Sequence, residues 1–326
     1  MDSRLEQLKT WLIEILGTSV FTLTPASADA SFRRYFRVVV DGPTYIAMDA
    51  PPDKEALEPF CRIARRWRDT GLNVPEIFHR NDKQGFLLLS DLGNKVYLDQ
   101  LRADNADMLY ADAMASLCRL QVATTSQENF LPPYDAVLLD AEMQLFPDWY
   151  LMHELGASLT TEQSSSLAQV FALLRENALV QPRVWVHRDY HSRNLMVTNT
   201  QSPGILDFQD AVLGPVTYDL VSLLKDCYIA WPRERVLGWV RDYYSRIKES
   251  GVPVSAGVEE FIRWFDLMGV QRHLKATGIF ARLYHRDSKP GYLNDIPRIL
   301  AYIEEVGQDY PEVRPLVTLL SALKSG

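Results

Sequence analysis

Cysteine is scarce: three residues in 326, at Cys61, Cys118 and Cys227, far apart and without a C-x-x-C pair. That spacing excludes a disulfide framework and a thiolate metal site. It leaves the three as small buried or half-buried apolar residues in a reducing compartment. No apolar run approaches the ~18 residues that span a bilayer. The N-terminus sets Leu5, Leu8, Leu12, Ile15 and Leu16 at helical spacing among polar residues, so it lacks the uninterrupted apolar region of a secretory leader. An excess of positive charge is also missing. With 34 Lys and Arg against 42 Asp and Glu, the formal net charge is -8. A broad electrostatic footprint for nucleic acid or anionic membrane is thereby excluded, although a local basic pocket is not. There is no internal repeat, low-complexity tract or long linker. The expectation is a soluble, cytoplasmic chain acting on a small molecule, with no nucleic acid, membrane or obligate protein partner.

What is present is a large apolar fraction, 47% against 23% charged, enough for one large two-lobed unit or two ordinary domains. After the first helix, Phe32–Val40 and Thr44–Met48 flank Asp41-Gly42-Pro43 and read as a β-hairpin. A helix follows from about Glu55 to Thr70, with Gly71 where a helix C-terminal glycine belongs. Gly85-Phe86-Leu87-Leu88-Leu89 reads as a short buried strand that ends in the polar Ser90-Asp91-Leu92-Gly93. Beyond it the spacing is helical over Tyr110–Thr124, Ser164–Ala178 and most of Glu259–Phe280. A β-rich island at Val184–Val186, Leu195–Thr198 and Gly204–Phe208 interrupts these helices. The chain is therefore expected to be α+β, with a small β-rich lobe over residues 1–92 and a large helical lobe over residues 93–326.

The chemistry concentrates in His187-Arg188-Asp189-Tyr190-His191-Ser192-Arg193-Asn194 and in Leu206-Asp207-Phe208. If the two apolar runs around Asn199–Pro203 pair as a hairpin, counting outward from the turn sets Leu195 opposite Asp207 and Asn194 opposite Phe208. An amide and a carboxylate then meet at its open end, and Asp189 can fold back to the same place. Two hard oxygen ligands suit Mg²⁺, which keeps its other positions for water and phosphate. A carboxylate not spent on metal can accept a hydroxyl proton. The spacing Asp-x-x-x-x-Asn with a later Asp is the catalytic-loop pattern of the protein-kinase fold.

From His187 through Asp210-Ala211, Gly214-Pro215 and Tyr218-Asp219-Leu220, the chain resembles the aminoglycoside phosphotransferase family, which includes choline and sugar kinases. A closer resemblance is to the bacterial anomeric kinases of N-acetylmuramic acid and N-acetylglucosamine, which serve cell-wall recycling. It is carried by Asp29–Arg37, Met48-Asp49-Ala50-Pro51-Pro52, Leu89–Gly93, Gln271–Lys275 and Gly278–Leu283. The resemblance implies a two-lobed protein-kinase-like fold using ATP and Mg²⁺, with Asp189 as base and Asn194 and Asp207 as metal ligands. It implies an adenine site at backbone near Ser90, Asp91 and Leu92 and phosphorylation of the sugar at its C1 hydroxyl; Ser31, Arg33 and Arg34 are candidate phosphate contacts. Kinases of aminoglycosides, choline or homoserine are the nearest alternatives, and a catalytically silent nucleotide-binding regulator is a more distant one.

Two features depart from that pattern. The turn before Phe32 has no G-x-G-x-x-G, and Met48 stands where a phosphate-pairing lysine is expected. Arg33, Arg34 or Arg37 is the candidate replacement. Strand alternation places Arg33, Tyr35 and Arg37 on one face and Arg34 on the other, without choosing between them, and the partner glutamate is Glu55 or Glu58. His187 and Asp219 read as structural supports of the loop, while His191 suits either substrate contact or packing. Gln271, Arg272, Lys275 and Arg282 fall near one helical face, which is either solvated or receives the lactyl carboxylate of the sugar. Phe146, Trp149 and Tyr150 read as core packing, or alternatively as a sugar-stacking set.

Overall fold

The computed structural model describes residues 2–28, 32–124 and 129–324. The chain opens with helix α1 (Ser3–Leu16), strands β1 (Thr22–Ala28), β2 (Arg34–Val39) and β3 (Thr44–Asp49), and helix α2 (Leu57–Asp69). Strands β4 (Ile77–Asn81) and β5 (Phe86–Ser90) follow, then helices α3 (Tyr97–Gln100), α4 (Ala106–Ala123) and α5 (Ala136–Leu145). A π-helical segment, Phe146–Glu154, leads to α6 (Thr161–Leu179) and the short strands β6 (Arg183–Val186), β7 (Leu195–Met196), β8 (Gly204–Ile205) and β9 (Val212–Pro215). Helices α7 (Tyr218–Leu224), α8 (Arg233–Glu249), α9 (Val258–His285), α10 (Ile296–Asp309) and α11 (Arg314–Lys324) complete it. This is the α+β class expected from the sequence. Two compact units result: Met1–Val96 with Leu195–Asp210, and Tyr97–Asn194 with Ala211–Gly326. No helix among the described residues is long and apolar enough to cross a membrane.

The first unit is built on an antiparallel sheet of order β1-β2-β3-β5-β4. Strand β5, flanked by β3 and β4, is apolar on both faces. By the period of two, Phe86 and Leu88 point one way and join Leu8, Trp11 and Leu12 of α1, while Leu87 and Leu89 point the other way. Helix α1 starts because the Asp2 carboxylate accepts from the Arg4 and Leu5 N–H groups, and it stops at Gly17, whose φ of 65° closes the last turn onto Ile13. Arg4 and Arg34 both pair with the fully buried Asp49 at the end of β3, which fixes α1 to the sheet.

The β7–β8 hairpin belongs to this unit. Its register differs from the expected one by two residues: Leu195 faces Ile205 and Met196 faces Gly204. The ladder ends early because the Val197 N–H is taken by the Lys95 carbonyl at 2.7 Å. Pro203, on the other arm, has no N–H to donate. Asp207 therefore lies two residues beyond the paired Ile205, and Asn194 immediately precedes the paired Leu195.

In the second unit, α9 is the organising element, 28 residues long and buried along most of its length. Gly278 lets it approach the end of α5, and a Cβ there would overlap the Leu145 carbonyl. Phe146 and Tyr150 are buried in the core that α9 shares with α6 and α10, which favours packing over sugar stacking for that aromatic set. Substituting Gly278→Ala should destabilise the protein by about 1–3 kcal/mol through overpacking. A denaturant midpoint equal to that of the parent would contradict this close approach.

Candidate active site

The loop from His187 to Asn194 leaves β6, and two buried carboxylates hold its backbone. Asp219, on α7, accepts from the N–H of His187 at 2.6 Å and of Arg188 at 3.0 Å. Asp226 accepts from the N–H of Ser192 and of Tyr228, both at 2.9 Å. Arg188 has a φ of 77°, a left-handed conformation that costs an L side chain about 1–2 kcal/mol. The two bonds to Asp219 offset that cost. Within the loop, the Asp189 N–H donates to His187 Nδ1 at 3.2 Å, the His191 N–H donates to the Asp189 carbonyl at 2.9 Å, and Asn194 Nδ2 donates to that same carbonyl at 3.0 Å. His187 is thus bound into the loop.

Among the described residues, no donor engages the Asp189 carboxylate, which is half-buried. Burial alone would raise its pKa, but the charges of Lys275, His191 and Arg272 outweigh that and hold it at about 2. It is ionised throughout the physiological range. His191, buried edge-on against Tyr228 at 5.3 Å, is pushed down to about 4 by burial and is neutral at pH 7. Its Nδ1 has no hydrogen-bond partner among the described residues.

The residues of α9 have divided roles. Lys275 Nζ lies 3.0 Å from both Tyr218 Oη and Glu142 Oε1. Glu142 also takes the Arg188 guanidinium and the Tyr134 hydroxyl, so one buried carboxylate collects two cations and a phenol. Gln271 Nε2 donates to Tyr134 Oη at 3.2 Å. Arg272 is 4% exposed, yet its hydrogen-bond partner is the Cys227 sulfur at 3.5 Å, and no carboxylate among the described residues lies within ion-pair distance. Arg282 is half-buried with its Nε unpartnered among the described residues. Neither Glu142, Tyr134 nor Asp226 was singled out from the sequence. Glu142 and Tyr134 carry no motif. Asp226 could have been found, since it follows Asp219 by seven residues, about two helical turns.

In the first unit, the three candidate arginines separate. Arg34 pairs with Asp49 and Asp2. Arg37 grips Asp91 at 2.6 and 3.0 Å and the Gly93 carbonyl at 2.8 Å. Arg33 pairs with Glu55 at 2.9 Å, and its Nη1 is 3.9 Å from Asp207 Oδ1. Gln209 Nε2 also donates to Asp207 Oδ1, at 2.8 Å, and to Asp210 at 3.3 Å. Ser90 Oγ accepts from the Glu76 N–H at 2.9 Å, and Leu92 packs over Gly204. The Ser90 N–H in turn donates to the Glu76 carbonyl at 2.9 Å. Ser31 lies outside the described residues.

The donor chemistry fits Mg²⁺. In the second unit the Asn194 amide nitrogen is turned to the Asp189 carbonyl, which presents the amide oxygen on the other side; in the first unit Asp207 carries a carboxylate beside Arg33. Among the described residues, no three His, Cys, Asp or Glu side chains cluster to hold an ion by themselves. An amide oxygen and a carboxylate are each donor types that Mg²⁺ accepts, with water and phosphate completing its shell.

Residues 22–268 match the model of the phosphotransferase enzyme family, to which the chain belongs. Two relatives are each named N-acetylmuramate/N-acetylglucosamine kinase. The one from Pseudomonas putida is 48% identical, aligned over 100% of this chain and 98% of its own length; the one from Neisseria meningitidis is 44% identical over 97% and 95%. Among solved structures, the ADP-bound aminoglycoside phosphotransferase APH(2'')-Ib is similar with a TM-score of 0.59 at 14% identity, covering 93% of this chain and 98% of that one. The fold is shared with it.

Burial raises the pKa of Asp219 to about 6, from the ordinary carboxyl value of 3.8. Between those values the native state binds the extra proton, so this group favours folding increasingly as pH falls through 6. The stability difference between the parent and Asp219→Asn should therefore widen by about 1 kcal/mol from pH 7 to pH 5. Turnover should fall over the same interval, because a protonated carboxyl is the poorer acceptor for two N–H groups. A pH-independent stability difference would contradict this role.

Proposed function

We propose that the chain transfers the γ-phosphoryl group of ATP to the anomeric C1 hydroxyl of N-acetylmuramic acid and N-acetylglucosamine, giving sugar 1-phosphates for peptidoglycan recycling in the cytoplasm. The observation that carries the reading is Asp189: a half-buried, ionised carboxylate that no donor among the described residues engages, on a loop tied down by Asp219 and Asp226. The names of the relatives support the sugar, and the ADP in a structural neighbour supports the nucleotide.

Asp189 accepts the hydrogen of the C1 hydroxyl and points its oxygen toward phosphorus. With its pKa near 2 it is a weak base, so it acts mainly by orientation and takes the proton late, as a loose phosphoryl-transfer transition state permits. Asn194 and Asp207 would hold Mg²⁺, which when bound neutralises phosphate charge. The backbone at Ser90–Leu92 receives adenine. Arg272, buried near Asp189 without an acidic partner, supplies the counter-charge for the lactyl carboxylate of N-acetylmuramic acid. Lys275, held by Glu142 and Tyr218, tunes Asp189.

The direct test is incubation with Mg-ATP and each sugar, reading the phosphate position by NMR. Phosphate at C1 and loss of the reducing end are expected; phosphate elsewhere would refute the reading. Asp189→Ala should lose at least about 10²-fold in turnover and still bind ATP, whereas Asp207→Ala should lose Mg²⁺-dependent nucleotide binding. Arg272→Gln should raise KM for N-acetylmuramic acid about tenfold or more while sparing N-acetylglucosamine, as expected for loss of one charge-assisted contact. Equal effects on the two sugars would remove Arg272 from carboxylate recognition.

A further inference from the structure

We propose that Arg33 is the phosphate-binding cation of this protein, and that it works as a displaced ion pair with Glu55. The inference rests on the Mg-ATP reading above. Met48 cannot serve: it faces Tyr35 on one side and Leu87 on the other, is 1% exposed, and carries no charge. A polyphosphate without a cation beside it would be strongly destabilised in a partly buried site. Some other residue must supply the charge.

The three arginines near the start of the sheet differ in what already holds them. Arg34 is committed to Asp49, a buried carboxylate it shares with Arg4, and to Asp2. Withdrawing it would leave the sheet edge and α1 less well joined. Arg37 is held in a two-bond grip by Asp91 and also donates to the Gly93 carbonyl. Arg33 differs in position. Its guanidinium is held by Glu55 at 2.9 Å and by a side-chain bond with Tyr35, and Nη1 stands 3.9 Å from Asp207 Oδ1, outside hydrogen-bond distance. The side chain is 9% exposed, so both the charge and its direction are set by the fold.

That separation has a chemical use. A carboxylate that is to bind a cation must not be neutralised by a tight arginine pair, and Glu55 keeps Arg33 from collapsing onto Asp207. Phosphate oxygens sharing a bound cation with Asp207 would lie beside that carboxylate. The Arg33 guanidinium is then their neighbour, and its planar fork can hold two phosphate oxygens at once. Both members of the pair sit just outside regular elements. Arg33 immediately precedes β2, and Glu55 lies two residues before α2. A longer side chain starting at the strand end thus supplies the charge that a lysine within β3 would have supplied, and the acidic partner has shifted with it.

The test is titration of the parent, Arg33→Met and Arg33→Lys with Mg-ATP and with AMP, which lacks the β- and γ-phosphates, alongside thermal melting without nucleotide. The parent is expected to bind Mg-ATP. Arg33→Met is expected to weaken Mg-ATP by about 10–100-fold, as loss of a charge-assisted contact does, with AMP binding and melting temperature close to those of the parent. Arg33→Lys should recover part of the loss. Mg-ATP affinity within twofold of the parent in Arg33→Met would overturn the proposal, as would an equal loss for AMP, which would mark a structural arginine. A parent that binds no Mg-ATP would overturn the kinase reading itself, and this assignment with it.

Discussion

The molecule depends on a contact between backbone and buried charge: the Asp219 carboxylate accepting the N–H groups of His187 and Arg188. Those two amides have no ladder partner, because β6 ends at Val186, and buried amides left unpaired cost more than the bonds they make are worth. A carboxylate with no exposure is likewise unstable unless several donors meet it. Each problem solves the other. The result is a loop whose Arg188 adopts a left-handed conformation that L residues avoid, and whose side chains consequently leave the backbone in fixed directions. Asp226 does the same for Ser192 further along.

Charge is distributed so that one carboxylate stays available. Glu142 absorbs Arg188 and Lys275 together with the Tyr134 hydroxyl, which removes the two cations that could otherwise have closed onto Asp189. Lys275 remains near enough to help keep Asp189 ionised without occupying its oxygens. In the first unit, Glu55 has a comparable relation to Arg33, restraining a guanidinium that stands beside Asp207. In both places a glutamate positions a cation instead of an aspartate being consumed by one.

Much of this was legible in the sequence, and the reasons for the rest are physical. The H-R-D and Asp-x-x-x-x-Asn spacing is local, so one loop declares itself without tertiary knowledge, and the periodicity of α4, α6 and α9 was equally plain. Strand β1 was not anticipated, because Pro25 interrupts it and the pairing with β2 shifts there. Strand β4, largely exposed and rich in polar residues, was missed as an edge strand. The hairpin register was displaced by two residues because Lys95, distant in sequence, takes the Val197 N–H. Glu142 is likewise invisible from the loop it serves, 46 residues before Arg188. The choice among Arg33, Arg34 and Arg37 could not be made from alternation, since Arg33 and Arg37 share a parity. It is made by where Glu55, Asp49 and Asp91 fall.

Hydrogen exchange of the loop amides addresses the central claim most directly. If Asp219 and Asp226 hold the backbone as described, the N–H groups of His187, Arg188 and Ser192 exchange as slowly as those of the surrounding helices. Replacing Asp219 by Ala then frees the first two and leaves Ser192 protected. Exchange of all three at the rate of an exposed loop, in the unmodified protein, would contradict the account.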